Sequence, residues 1–94
     1  MRIVWTGAAA RDLESIGDYI ARANPRAAHR VIRRITTRVR SLTVHPYLGR
    51  PGRVAATREL VVTTTPFIVA YRVVEDRVEI LAVFHGARIW PEAL

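Results

Sequence analysis

The hydrophobic period of this chain changes once, and the change decides what kind of fold it can adopt. Up to residue 44 apolar side chains recur every three or four residues; from residue 57 onward they alternate with other residues or run continuously. The first pattern marks helices buried along one stripe, the second marks strands. Ala9, Leu13, Ile16, Ile20 and Ala23 form one helical stripe, and Ala28, Val31, Ile32, Ile35, Val39 and Leu42 form another. Asn24-Pro25 separates them; asparagine suits an N-cap and proline the first helical turn. The spacing predicts helices over 8–23 and 25–44, with Thr6 capping the first. So short a link requires an antiparallel helical hairpin.

His45-Pro46 ends the second helix, because a residue before proline is pushed out of the helical region. Residues 47–53, Tyr-Leu-Gly-Arg-Pro-Gly-Arg, read as a loop. Strands follow over 57–64, 67–74 and 77–85, joined by Thr65-Pro66 and Glu75-Asp76, and residues 2–5 read as a further strand at the start. Connections this short make the last three strands an antiparallel meander. The expected fold is α+β, a single domain over residues 1–94: an N-terminal strand, an antiparallel helical hairpin, then a three-stranded antiparallel meander packed under it. A two-residue turn at Glu75-Asp76 sets Val74 opposite Arg77, Val73 opposite Val78 and Arg72 opposite Glu79. Continued without interruption, the same register sets Ala70 opposite Leu81 and Ile68 opposite Val83. It turns Phe67, Val69, Tyr71, Val78, Ile80 and Phe84 toward the helices.

Composition narrows the chemistry. There is no cysteine, so neither a disulfide framework nor a thiolate metal site is expected. His29, His45 and His85 share no ligand spacing, so no metal and no cofactor is expected. No stretch is long enough to span a bilayer, and Met1 to Trp5 is too short and too quickly interrupted for a signal peptide. The expected location is the cytoplasm, without membrane attachment. All 15 basic residues are arginine, a choice that GC-rich codon usage also produces, but the net charge of +7 calls for an acidic partner, either nucleic acid or protein. Arg26, Arg30, Arg33, Arg34, Arg38 and Arg40 read as the charged outer face of an amphipathic helix. They lack interleaved aromatics and base-reading Asn or Gln, so a basic nucleic-acid-binding module is an alternative reading rather than the main one.

Several residues stand out as site candidates. Arg72 in mid-strand invites a catalytic role, but the register gives it Glu79 as an ion-pair partner. His85 ends the last strand, where it serves either as a general acid or base or as a hydrogen-bond partner of the loop after Gly86. Arg88, just past Gly86, is either a functional arginine reaching back over the sheet edge or a solvated one. Arg50, Arg53 and Arg58 bracket the Gly/Pro loop, and Glu59 pairs with one of them. Arg88, His85 and Arg58 are the weak catalytic candidates; Arg50, Arg53, Arg58, Arg72, Arg88 and Trp90 are the candidates for contact with a partner.

Along nearly its whole length the chain resembles toxins of the RelE/ParE superfamily. The resemblance lies in Val4-Trp5-Thr6 with Asp12-Leu13 and Tyr19-Ile20-Ala21, and in Asn24-Pro25. It continues through Gly49-Arg50-Pro51-Gly52-Arg53, Thr57-Arg58-Glu59-Leu60-Val61, Pro66-Phe67 through Arg72-Val73, and Val78-Glu79-Ile80-Leu81 through Phe84-His85-Gly86-Ala87-Arg88. It implies one of two activities. RelE-like members cut messenger RNA on the ribosome, whereas ParE-like members inhibit DNA gyrase. RelE-like ribonucleases carry an arginine in a strand pattern Tyr-Arg-Leu-Val-Tyr; laid on Phe67-Ile68-Val69-Ala70-Tyr71, the arginine position holds Ile68. Their lysines have no counterpart in a chain without lysine. The resemblance therefore implies a ParE-like toxin of a type II toxin-antitoxin system, of the kind associated with plasmid stabilisation. It also implies a ParD-like antitoxin with a ribbon-helix-helix domain and an acidic C-terminal segment, and assembly as a homodimer within a heterotetramer or larger complex.

Overall fold

The computed structural model describes residues 1–87. Arg2–Trp5 forms strand β1, Gly7–Ala21 helix α1 and Pro25–Arg40 helix α2, which runs on as a 3₁₀ turn over Ser41–Thr43. Arg50–Pro51 forms the short β2, Arg58–Val61 β3, Phe67–Val74 β4 and Arg77–His85 β5. The α+β class, the helical hairpin and the antiparallel order of the last strands are as the sequence predicts.

The caps fix where the helices begin. Thr6 Oγ1 accepts from the Ala9 amide at 3.2 Å and donates to the Ile80 carbonyl at 2.7 Å, so the start of α1 is tied to the sheet. α1 thus begins at Gly7, one residue before the expected start, and it closes at Ala21, where the Ala23 and Asn24 amides both turn back onto the Ile20 carbonyl. Asn24 Oδ1 accepts from the Ala27 amide at 3.1 Å, with Pro25 in the first turn of α2.

The five strands lie in the order β1-β5-β4-β3-β2. β1 runs parallel to β5, with Arg2 opposite Arg77 and Trp5 opposite Ile80. Two short features differ from expectation. β2 forms inside the stretch read as loop, with Arg50 opposite Glu59 and Pro51 opposite Arg58; a proline is tolerated because β2 is an edge strand. β3 stops at Val61 rather than 64, because Val62, Thr65 and Phe67 close a tight turn in which Thr65 Oγ1 donates to the Val62 carbonyl and accepts from the Phe67 amide.

The register of the last hairpin holds from Val74/Arg77 to Tyr71/Ile80 and then shifts by one residue between Ala70 and Tyr71. Leu81 is the extra residue of a β-bulge. Ala70 therefore faces Ala82, and Ile68 faces Phe84 rather than Val83. The shift exchanges the faces beyond the bulge. Val83 joins the core under the helices with Ile35, Val39, Leu42, Leu60, Val69, Tyr71, Val78 and Ile80, and Phe84, expected there, moves to the opposite face. On that opposite face Ile68, Ala70, Ala82 and Phe84 form a second apolar cluster. Asp12 Oδ2 of α1 accepts from the Val83 amide at 3.0 Å and so anchors the strand just past the bulge.

Candidate partner-binding surface

The 46–59 segment is held from below by one phenol. Tyr71 is fully buried; its hydroxyl donates to the Pro46 carbonyl at 2.8 Å and accepts from the Gly49 amide at 2.8 Å. Burial raises the Tyr71 pKa above its ordinary value, and this outweighs the opposing pull of the Gly49 hydrogen bond and the Arg58 charge. Gly49 is required by close approach: a β-carbon there would lie 2.8 Å from the Tyr71 hydroxyl oxygen and 2.9 Å from the Glu59 carbonyl. Arg58, the cross-strand partner of Tyr71, clamps the same loop. Its Nη1 donates to the Gly49 carbonyl at 2.7 Å and the Tyr47 carbonyl at 3.3 Å, and its guanidinium carbon lies 5.0 Å from the Tyr47 ring centre.

Two carboxylates on the face of the sheet away from the helices each gather two arginines. Glu59, only 2% exposed, accepts from Arg50 Nη2 at 3.0 Å and from the Arg53 backbone amide at 3.1 Å, with Arg53 Nε at 3.8 Å. Glu79 accepts from Arg72 Nε at 2.6 Å and from Arg77 Nε at 2.9 Å. The hydrogen bonds from Arg72 and then Arg77 hold the Glu79 carboxyl below the usual carboxylate range, and Glu79 in turn raises Arg77. The two groups share one face: Arg50, Glu59, Ala70 and Ala82 are successive cross-strand partners, and the Arg72–Glu79 pair follows, two residues along β4 and, across the bulge, three along β5. Each group leaves one net positive charge beside the outer apolar cluster. The arrangement suits contact with an acidic protein surface, with arginines held in place by their own carboxylates.

The sequence candidates fall in three places. Arg50, Arg53 and Arg58 come together around the 46–59 loop; Arg72 shares the outer sheet face of Arg50 and Glu59, with the Glu79 partner that the register gives it, whereas Arg58, opposite Tyr71, lies on the helix side. Glu59 takes two arginines where one was expected. His85 lies at the far end of β5, where Nδ1 accepts from the Ala87 amide at 3.1 Å and the ring meets Phe67 edge-on at 5.9 Å. It borders a groove with Asp12, Ser15, Tyr19 and Arg22. Arg58 faces Tyr71 and His85 faces Phe67, on opposite sides of β4 and separated by about 13 Å of strand, too far to serve one phosphate. Arg88 and Trp90 lie outside the described residues. Among the described residues no group of His, Cys, Asp or Glu is arranged to hold a metal ion, and no helix is long and apolar enough to cross a membrane.

Comparison with known proteins agrees with this geometry. The protein Y4kP of Sinorhizobium fredii is 50% identical over 93 residues, 99% of this chain and 96% of the relative. Toxin RelE2 of Caulobacter vibrioides is 40% identical over 88 residues, 94% of this chain and 98% of the relative. A chain of the chromosomal ParDE toxin-antitoxin system of P. aeruginosa superposes with a TM-score of 0.81 at 31% identity, covering 90% of this chain and 95% of its own. The family model for the ParE toxin of the type II toxin-antitoxin system parDE matches residues 3–90. With that match running from β1 past the end of β5, the chain belongs to the ParE toxin family of type II toxin-antitoxin systems.

Proposed function

We propose that this toxin acts by binding DNA gyrase in the cytoplasm, without cutting RNA, and that a cognate antitoxin with an acidic C-terminal segment neutralises it. The observation that carries the reading is Ile68. It occupies the position where RelE-like ribonucleases carry an arginine, and its side chain is 7% exposed within the outer apolar cluster. Cutting RNA needs a base, an acid and cations around one phosphate; Arg58 is engaged by loop carbonyls and His85 lies at the other end of β4. Arg50, Arg53, Arg58 and Arg72, with Arg88 and Trp90, are the residues assigned to partner contact. Purified protein is expected to block supercoiling by gyrase and to accumulate cleaved DNA complexes, while ribosome-bound messenger RNA stays intact. Cleavage of that RNA with gyrase untouched overturns the proposal.

Similarity to toxin RelE2 favours one second reading, a ribosome-dependent ribonuclease using Arg88, His85 and Arg58. Arg88→Ala with toxicity undiminished counts against it.

A further inference from the structure

Positive charge on this molecule is unevenly compensated. Among the described residues every ion pair uses Arg50, Arg53, Arg72 or Arg77. The arginines of α2 have none, and α2 itself contains no acidic residue. Arg26, Arg30, Arg34 and Arg38 follow one another at four-residue spacing, so each adjacent pair sets like charges on neighbouring turns and destabilises the helix.

Four of the α2 arginines border one groove. Arg30, Arg33, Arg34 and Arg38, with Thr37 and Ser41, form its helical wall, and Val62, Thr63 and Thr64 after β3 form the other. The groove is shallow and open to solvent, with a volume of about 490 Å³. Arg38 Nε reaches the Val61 carbonyl at 3.5 Å and joins the two walls. Along α2 the backbone positions of Arg30, Arg34 and Arg38 repeat at about 6 Å. Carboxylates on one face of a helix, or on alternate residues of a strand, repeat at about 6–7 Å. The hydroxyls of Thr37, Ser41 and Thr63 add donors along the same track. Among the described residues no aromatic ring, Asn or Gln borders the groove, so these residues supply neither the stacking platforms of single-strand nucleic-acid sites nor the amides that read bases.

We propose that this groove seats a carboxylate-rich segment of the antitoxin polypeptide. The inference rests on the reading of the chain as a toxin held by an acidic partner, and it names the surface that does the holding. Binding relieves the like-charge repulsion along α2, so the partner supplies the counter-charge that the chain itself lacks.

The test is fluorescence anisotropy of a labelled poly-glutamate peptide against the full chain and two variants of equal net charge. One is Arg30→Gln/Arg34→Gln/Arg38→Gln in the groove; the other is Arg2→Gln/Arg26→Gln/Arg40→Gln outside it. Thermal melts confirm that both are folded. The groove variant is expected to lose about tenfold or more in affinity, through the loss of charge-assisted hydrogen bonds. The control is expected to lose less than about threefold, through the weakened overall field. Equal losses in the two variants overturn the proposal. So does a labelled single-stranded oligonucleotide that binds more tightly than the peptide and loses affinity only in the groove variant. Growth arrest on expression without antitoxin reads the underlying function separately. Arrest that persists in the groove variant while peptide affinity falls supports the groove as an antitoxin site. A wild-type chain that arrests nothing overturns the toxin reading, and the peptide measurement still decides the groove.

Discussion

Tyr71 donates one hydrogen bond and accepts another, so Tyr71→Phe strands both the Pro46 carbonyl and the Gly49 amide. Leaving buried partners unmet costs about 1–3 kcal/mol, measurable by urea denaturation near neutral pH. The same phenol gives a pH signature. Its pKa is raised on folding, so the unfolded chain ionises first as the medium becomes alkaline. Its contribution to stability is fully present below the ordinary phenol value of 10.0 and is lost as pH rises from there through the folded value. Wild-type stability is therefore expected to fall more steeply above pH 10.0 than that of Tyr71→Phe. Glu79 behaves in the opposite sense. Its pKa is lowered by Arg72 and Arg77, so its contribution is present above the ordinary carboxylate value of 4.5 and is lost as pH falls through the folded one. Glu79→Gln is expected to flatten the acid limb of the stability profile.

At the scale of the elements, the bulge at Leu81 decides which residues of β5 face the helices, and Asp12 secures it. Asp12→Ala leaves the Val83 amide without its acceptor, with an expected loss of about 1–3 kcal/mol and faster hydrogen exchange at Val83. Local features of the fold were legible in the sequence. Thr6 and Asn24 cap the helices as their side chains suggest, and Glu75-Asp76 sets Arg72 against Glu79. The bulge was not legible, because Ile80 to Phe84 is an unbroken apolar run. A shift of one residue in such a run exchanges no polar residue for an apolar one, and alternation has nothing to display. β2 was hidden for a related reason. Two residues, one of them proline, have no periodicity, and Arg50 meets Glu59 where the intervening loop closes through Gly52 and Thr57 and where Tyr71 and Arg58 hold the preceding Gly49. The site was legible in part. Arg50, Arg53, Arg58 and Arg72 were singled out, but the double use of Glu59 and the role of the Tyr71 hydroxyl depend on residues brought together by the tertiary fold.

At the scale of the whole molecule, charge sets stability against recognition. Arg34→Glu gives α2 a carboxylate four residues from both Arg30 and Arg38. Replacing two repulsive pairs by attractive ones is expected to stabilise the fold by about 0.5–1 kcal/mol at low salt, fading as ionic strength rises. The same substitution is expected to weaken poly-glutamate binding, so a thermal melt and an anisotropy titration should move in opposite directions. The parallel pairing of β1 with β5 has a consequence in time rather than in space. β1 occupies an edge of the sheet with β5 as its neighbour, so the first strand made has no partner until nearly the last residues of the fold have been added. Its Arg2–Arg77 closure spans most of the chain, the kind of distant pairing that slows folding. A ribosome part-way through this message therefore carries a helical hairpin and an orphaned strand. The completed sheet waits for β5, and with it the arginine group of Glu79, whose members lie on β4 and β5.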